Sequence, residues 1–332
     1  NEFNVDNFKL DQLLPLVKNN SKNKKYDCIV GLSGGVDSSW ALIQAVELGL
    51  NPLAVHMDNG WNSQLAQNNI ENLVKKLNVD LYTYVIDWDE YVALQKAFFR
   101  SNVIDIELLY DNALAKVNYA QAAKYNIKYI LSGSNFSTEG MQMPEKWAWK
   151  CKLDYLNIRS IFKQFGDGRK ISSFPGIGFF AYMIYKIRGI KWIPFLNYFD
   201  YKKDVALDIL KSEYDYIPYP YKHYESVFTR FYQGYILPKK FNVDKRRIHL
   251  SNLIITNQLT RDVAVDILSN EAYGERNDLN QDMEYFLKKF NWTKEQLDQY
   301  IKGPQVDHDA YRSEYKLFEF FSFLSKKIKF FF

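Results

Sequence analysis

Gly31-Leu32-Ser33-Gly34-Gly35-Val36-Asp37-Ser38-Ser39-Trp40 follows directly on the apolar run Tyr26-Asp27-Cys28-Ile29-Val30. Glycines between a strand and a helix let the backbone turn sharply and come close to a ligand. The first N–H groups of the helix have no partner within it, and the helix dipole adds positive potential at the same end. Such a terminus binds phosphate, and in an open α/β sheet it lies beyond the carboxyl ends of the strands, where ligands sit. Ser33, Ser38 and Ser39 add hydroxyl donors. Asp37 would repel phosphate unless a cation lay between them, which points to Mg²⁺. Two other phosphate loops are excluded. The loop has no lysine, so it is not GxxxxGK[ST], and Gly34 and Gly35 are adjacent, so it is not GxGxxG.

The flanking pattern agrees. Cys28–Leu32, Pro52–Met57, Leu81–Ile86 and Tyr129–Leu131 read as strands, and Asp37–Leu48, Gln64–Leu77, Tyr91–Phe99 and Ile106–Lys124 as helices. Continuous apolar strands separated by amphipathic helices predict a doubly wound parallel α/β sheet covered on both faces. From about Glu139 the chain turns aromatic-rich and mostly helical, with helices expected at Asp204–Ser212, Arg261–Leu268, Met283–Phe290 and Lys294–Ile301. The expected division is an N-terminal segment at 1–25, a phosphate-binding α/β domain at 26–138 and a helical substrate-binding extension at 139–332.

Composition sets wider limits. The 332 residues are 47% hydrophobic, 25% charged and 17% aromatic, ordinary for a globular chain apart from the aromatics. A net charge of +4 is too small to argue for nucleic acid. Cys28 and Cys151 form neither a CxxC pair nor a metal cluster, so a reducing cytoplasm without a disulfide framework is expected. The most membrane-like stretch, Phe174 to Phe199, is interrupted by Lys186, Arg188 and Lys191 and bracketed by Pro175 and Pro194, so no spanning helix is expected. The closing run Lys326–Phe332 reads either as a frayed terminus or as a contact for an anionic membrane surface. The chain begins at Asn1 rather than Met, which leaves room for an upstream segment.

Ser33-Gly34-Gly35-x-Asp37-Ser38 resembles the signature of the PP-loop ATP pyrophosphatases, which cut ATP between its α- and β-phosphates and transfer AMP to an oxygen. The resemblance continues at two later strand ends. His56-Met57-Asp58-Asn59-Gly60-Trp61 falls where that superfamily places adenosine, and Leu131-Ser132-Gly133-Ser134-Asn135 where it places a second small-residue loop. It implies ATP and Mg²⁺, with Asp37 as metal ligand. The implied nucleotide site is Gly31, Ser33, Gly34, Gly35, Val36, Asp37, Ser38, Ser39, His56, Asp58, Gly133 and Ser134.

Further blocks are similar to the N-acetyl sugar amidotransferases of this superfamily. They are Trp149–Ile158, Tyr221–Ser226, Thr229–Gly234, Asp244–Ile254 and Thr260–Asp262, within a resemblance covering about residues 25 to 270. The resemblance implies conversion of an acetamido group to an acetamidino group on a nucleotide-linked or nonulosonic sugar. The products serve surface polysaccharides, such as lipopolysaccharide O-antigen, or glycoproteins. The catalytic candidates are Asp37, Lys240, Lys245, Arg246, His223 and Glu225. By spacing alone, the basic residues between Lys239 and Arg247 equally suit a solvated face; the match favours a phosphate-facing role for Lys240, Lys245 or Arg246. His223 and Glu225 either orient the amide and move protons or make a capping hydrogen bond. Asp58 either binds ribose or caps the next segment, and His249 reads as structural. Two departures stand out. No cysteine-rich segment precedes the loop, so no zinc is expected, and Pro218-Tyr219-Pro220-Tyr221 stands where relatives carry small residues.

The implied chemistry is coherent. Attack of the amide oxygen on the α-phosphate would give an O-adenylyl imidate, from which ammonia displaces AMP to leave an amidine. Mg²⁺ and the loop N–H groups would stabilise charge on the departing pyrophosphate. Ammonia is mostly protonated near neutral pH, so a glutaminase is expected to deliver it. Cys28 lies in a strand and Cys151 has no histidine near it in sequence, so that glutaminase is expected as a separate partner. In the family it resembles the ammonia-producing and channelling subunits of histidine biosynthesis. A homo-oligomer is compatible with all of this. The rival readings are a PP-loop tRNA modifier of thiolation or lysidine type and a nucleotide sensor without turnover. The first lacks paired cysteines and a strong basic stripe.

Overall fold

A computed structural model describes residues 9–219, 225–273 and 276–331. His223 lies outside them, as do Tyr221, Lys222 and Tyr224. The strands are β1 (Cys28–Gly31), β2 (Pro52–Asp58), β3 (Leu81–Val85), β4 (Tyr129–Ser132) and β5 (Lys191–Pro194). They form one sheet in the order β3-β2-β1-β4-β5, with every pairing parallel. Period-two alternation sends Cys28, Val30, Ala54 and Leu131 into one apolar cluster and Ile29, Val55, Met57 and Ile130 into another. The sheet is therefore covered on both faces, as the sequence predicts.

The helices are α1 (Leu10–Asn20), α2 (Val36–Glu47), α3 (Gln64–Leu77), α4 (Trp88–Ser101), α5 (Leu108–Lys124), α6 (Phe136–Glu139), α7 (Tyr155–Phe165) and α8 (Phe179–Ile187). They continue with α9 (Lys203–Glu213), α10 (Val227–Phe231), a π-helical stretch at Tyr232–Phe241, α11 (Arg246–Ile255), α12 (Arg261–Ser269), α13 (Arg276–Phe290), α14 (Lys294–Lys302) and α15 (Tyr315–Phe331). Residues of α1, α2, α3 and α9 fill one cluster; those of α4, α5, α10 and α13 fill the other.

The sheet gains a strand that the sequence does not announce. β5 comes from the stretch read as helical extension and pairs with β4 from Tyr129↔Lys191 to Ser132↔Pro194. It is an edge strand of four residues ended by proline, too short to show a period and placed where proline is tolerated. The aromatic surplus is largely core. Trp61, from the loop after β2, lies among Phe228, Phe286 and Phe290, and the Phe286 and Phe290 rings are 4.5 Å apart. This cluster fastens the helical half to the sheet. Among the described residues no helix is long and apolar enough to cross a membrane.

Candidate active site

Strand order reverses between β1 and β4, which opens a crevice at their carboxyl ends. Leu32 still donates its N–H to the Val55 carbonyl at 2.8 Å, and then the chain turns at Gly34, whose φ is +85°. A side chain at Gly34 would be strained there, with its Cβ 3.0 Å from the Ala66 carbonyl oxygen. The Gly34 carbonyl accepts hydrogen bonds from the hydroxyls of Tyr216 at 2.9 Å and Tyr219 at 2.8 Å, so its partial negative charge is occupied rather than presented to an anion. The Ser38 hydroxyl donates to the Gly35 carbonyl at 3.1 Å and lies 3.1 Å from the Ser33 hydroxyl. Gly35 caps α2 without a side chain, so the first-turn N–H groups of Val36, Asp37 and Ser38 have no side-chain cap. The loop after β4 rests on that turn. A Cβ at Gly133 would lie 2.6 Å from the Asp37 carbonyl carbon and 2.7 Å from the Ser38 nitrogen, so only glycine allows the approach. Ser134, beside it, is exposed.

The Tyr201 hydroxyl donates to Asp37 Oδ1. Burial, then the neighbouring Asp37 charge, pushes the pKa of Tyr201 up, so it remains a donor. Glu225 is brought to the same place: its Oε1 lies 3.8 Å from where a Gly35 Cβ would stand. Backbone pairing fixes it, since Ser63 N–H donates to the Glu225 carbonyl and Val227 N–H to the Trp61 carbonyl, both at 2.9 Å. Tyr201, Tyr216 and Tyr219 were missed by sequence reading. The departure at Pro218–Tyr221 marks Tyr219 as unusual but not its partner, and nothing in the sequence marks Tyr201 or Tyr216.

Other candidates sit further back. His56 is buried beneath the loop, with Nδ1 2.8 Å from the Leu32 carbonyl and Nε2 3.0 Å from Asn62 Nδ2. A carbonyl only accepts, so Nδ1 carries the proton and the ring is neutral, in line with burial lowering its pKa. Both ring nitrogens are thus spent on holding the loop. Ser39 is buried on the inner side of α2. Asp58 Oδ1 accepts from Gly60 N–H at 2.9 Å and Asn62 Nδ2 at 3.3 Å, which is the capping alternative. Lys289, unremarked in the sequence, lies 3.9 Å from the Trp88 ring centre and 5.6 Å from those of Trp61 and Tyr285.

Two basic candidates turn out not to face the loop. Lys240 donates to Asn102 Oδ1 at 3.0 Å and to the carbonyls of Tyr300, Gly303 and Pro304 at 2.7, 3.2 and 2.8 Å. Burial pushes its pKa down to about 8. Arg246 pairs with Asp244 and donates to the carbonyls of Ile267, Asn270 and Glu271, which closes the end of α12. The physical reason is shared. A cation beside a helix carboxyl end finds unpaired carbonyls, and spacing in sequence cannot tell that destination from a phosphate.

Lys245 goes elsewhere. Its Nζ bonds Glu107 at 2.6 Å, and Gln233 Nε2 donates to both Glu107 oxygens at 2.9 Å. Beside this, Lys152 bridges Asp105 at 2.5 Å and Asp111 at 3.1 Å. Burial opposes ionisation of both carboxyls, yet the Lys152 and Lys245 charges hold Asp105 below its usual range while Asp111 is raised. Asp105 is 2% exposed and Asp111 39%, so the charged cluster reaches solvent at Asp111 and Lys152. Burial, then the charges of Asp111, Glu225 and Asp58, raises the pKa of the Tyr110 hydroxyl. The blocks at 149–158 and 244–254 thus meet at the amino end of α5.

Residues 10–141 match the family described as NAD synthase, and residues 225–325 the family described as LPS biosynthesis protein WbpG-like, C-terminal domain. No curated protein matches the chain. Among solved structures, it is similar to NMN synthetase from Francisella tularensis, at 19% identity, over 77% of this chain and 94% of that one, with a TM-score of 0.39. It is also similar to NH3-dependent NAD synthetase from Campylobacter jejuni, at 18% identity over 61% and 82%, with a TM-score of 0.31. The PP-loop match spans the strand, loop and helix that carry Asp37, and the WbpG-like match spans Glu225, Gln233 and Lys245. Joined in that order in one chain, the two matches support its resemblance to the PP-loop N-acetyl sugar amidotransferases.

Proposed function

We propose that this chain uses ATP to convert an acetamido group of a sugar into an acetamidino group, releasing AMP and pyrophosphate. One observation supports the reading: the chain that carries the glycine loop and Asp37 also gathers Lys152, Lys245 and Gln233, from three sugar-amidotransferase blocks, around the carboxylates at the amino end of α5. The uncapped turn of α2 suits the outer phosphates. The residues fit Mg²⁺: Tyr201 orients Asp37 through Oδ1, and Oδ2 would meet the ion. Among the described residues no trio of metal-ligating side chains is assembled beforehand, which suits a cation that arrives with the nucleotide's own oxygens. Bound Mg²⁺ would offset charge on the departing pyrophosphate.

The sugar's amide oxygen bonds to the α-phosphorus as the bond to the β-phosphate oxygen breaks. Ammonia then adds to the imidate carbon, and AMP leaves with the former amide oxygen. Lys152, Lys245, Gln233 and Asp111 suit a polyhydroxylated ring, which needs donors and acceptors in equal measure. Glu225, beside Gly35, or Asp111, at the exposed edge of the charged cluster, would take the proton that ammonia sheds. The ammonia source is a separate glutaminase. Both thiols are buried, and burial pushes Cys151 up to about 12 and Cys28 higher, so neither is a ready nucleophile.

The test is incubation with ATP, Mg²⁺, ammonium and a panel of acetamido sugars, followed by nucleotide chromatography and mass spectrometry. The expected result is AMP in step with a sugar whose oxygen is replaced by NH. ADP in place of AMP, or AMP formation indifferent to every acetamido sugar, overturns the proposal.

A further inference from the structure

Away from the crevice, two helices turn apolar faces to solvent side by side. On α8, Phe179 and Tyr185 are buried, while Phe180, Ile184 and Ile187 are 71%, 58% and 81% exposed. Their i, i+4, i+7 spacing puts all three on one stripe, facing outward instead of inward. On α15, Phe318 and Phe321 pack on Phe179 with ring centres 5.1 and 4.9 Å away, and Leu317 and Phe320 are exposed beside them. The two helices therefore touch through Phe179, with exposed apolar residues on either side of that contact.

Charge distinguishes this surface from the rest of the molecule. Residues 179–191 carry Lys186, Arg188 and Lys191 and no acid, and residues 315–331 carry Lys316, Lys326, Lys327 and Lys329 against Glu319. These two segments hold more positive charge than the whole chain's +4, so the remainder is net negative. Another exposed apolar face, on α12, has Asp262 and Asp266 among Val263, Val265 and Ile267 and lacks this character. A second copy docked symmetrically on the α8–α15 face would set Lys186, Arg188 and Lys316 against their own kind. A phosphate-bearing lipid surface would not.

We propose that α8 and α15 form a docking surface for the anionic face of a phospholipid bilayer, on which the protein lies without crossing it. Phe180, Ile184, Ile187 and Phe320 enter the boundary between headgroups and acyl chains, and Lys186, Arg188 and Lys316 meet lipid phosphates. Ile187 comes just before the first residue of β5, at the amino end of the parallel sheet. Docking here leaves the nucleotide crevice, at the carboxyl ends, open to water.

Flotation with vesicles tests this, using phosphatidylcholine alone and phosphatidylcholine mixed with phosphatidylglycerol. The protein is expected to float with the mixed vesicles, and less so as salt is raised. Ile184→Asp, and separately Lys186→Glu with Arg188→Glu, should weaken binding by about tenfold or more while melting temperature and Mg-ATP binding stay unchanged. Failure of the wild type to float with mixed vesicles overturns the proposal, as does equal flotation of wild type and variants. A wild-type dimer in light scattering that Ile184→Asp splits, without lipid binding, would assign the face to a second copy instead.

Discussion

Asp37 is held by Tyr201, a residue 164 positions later in the chain, and the two should fail differently. Asp37→Asn is expected to fold normally and lose AMP formation by about 100-fold or more, because the charge that receives the cation is gone. Tyr201→Phe keeps the carboxylate but frees its orientation, and a loss of about 10- to 100-fold is expected. Rates at wild-type level in either variant would remove that residue from the mechanism. Gly133→Ala should destabilise by about 1–3 kcal/mol in urea titration, since a methyl group has no room against the first turn of α2. What was legible at this scale was local chemistry. Ser33, Gly34, Gly35, Asp37 and Ser38 announce a phosphate loop because the turn, the dipole and the hydroxyls lie within one short stretch. Tyr216 and Tyr219 were illegible because the Gly34 carbonyl they hold is some 180 residues away, and no local pattern encodes such a distance.

The helices teach a related lesson through their ends. Lys240 and Arg246 were expected to face phosphate, and both instead close helix carboxyl termini, Lys240 at α14 and Arg246 at α12. Lys240→Met should cost about 1–3 kcal/mol, because it leaves buried carbonyls without donors. Arg246→Ala, more exposed, should cost about 1 kcal/mol. Both variants should keep their kcat at a temperature where they stay folded. A fall in kcat without loss of stability would return either residue to the site. Amphipathic helices such as α3 and strands buried on both faces, such as β2, were readable from their periods. β5 was not, since four edge residues ended by proline carry no period.

At the scale of the whole molecule, His308 ties the amino end of α5 to the carboxyl-terminal segment. It is 1% exposed, its Nδ1 donates to Asn157 Oδ1 at 2.8 Å, and its Nε2 accepts the Asp105 N–H at 3.2 Å. Burial lowers its pKa from 6.5 to about 4. Between those two values the unfolded chain takes up a proton that the native chain refuses, so stability is full above about 6.5 and falls as pH drops toward 4, by up to about 3 kcal/mol. His308→Gln should flatten that part of the pH–stability curve relative to wild type, and parallel curves would exclude the ring as its cause. The tyrosines on Gly34 have a consequence in time as well. A ribosome delivers the phosphate loop early, but Tyr201, Tyr216 and Tyr219 emerge only after nearly two hundred further residues. A nascent chain arrested before Tyr201 would carry the loop's signature without the hydroxyls that hold Asp37 and Gly34, and its affinity for ATP is expected to fall below that of the full chain.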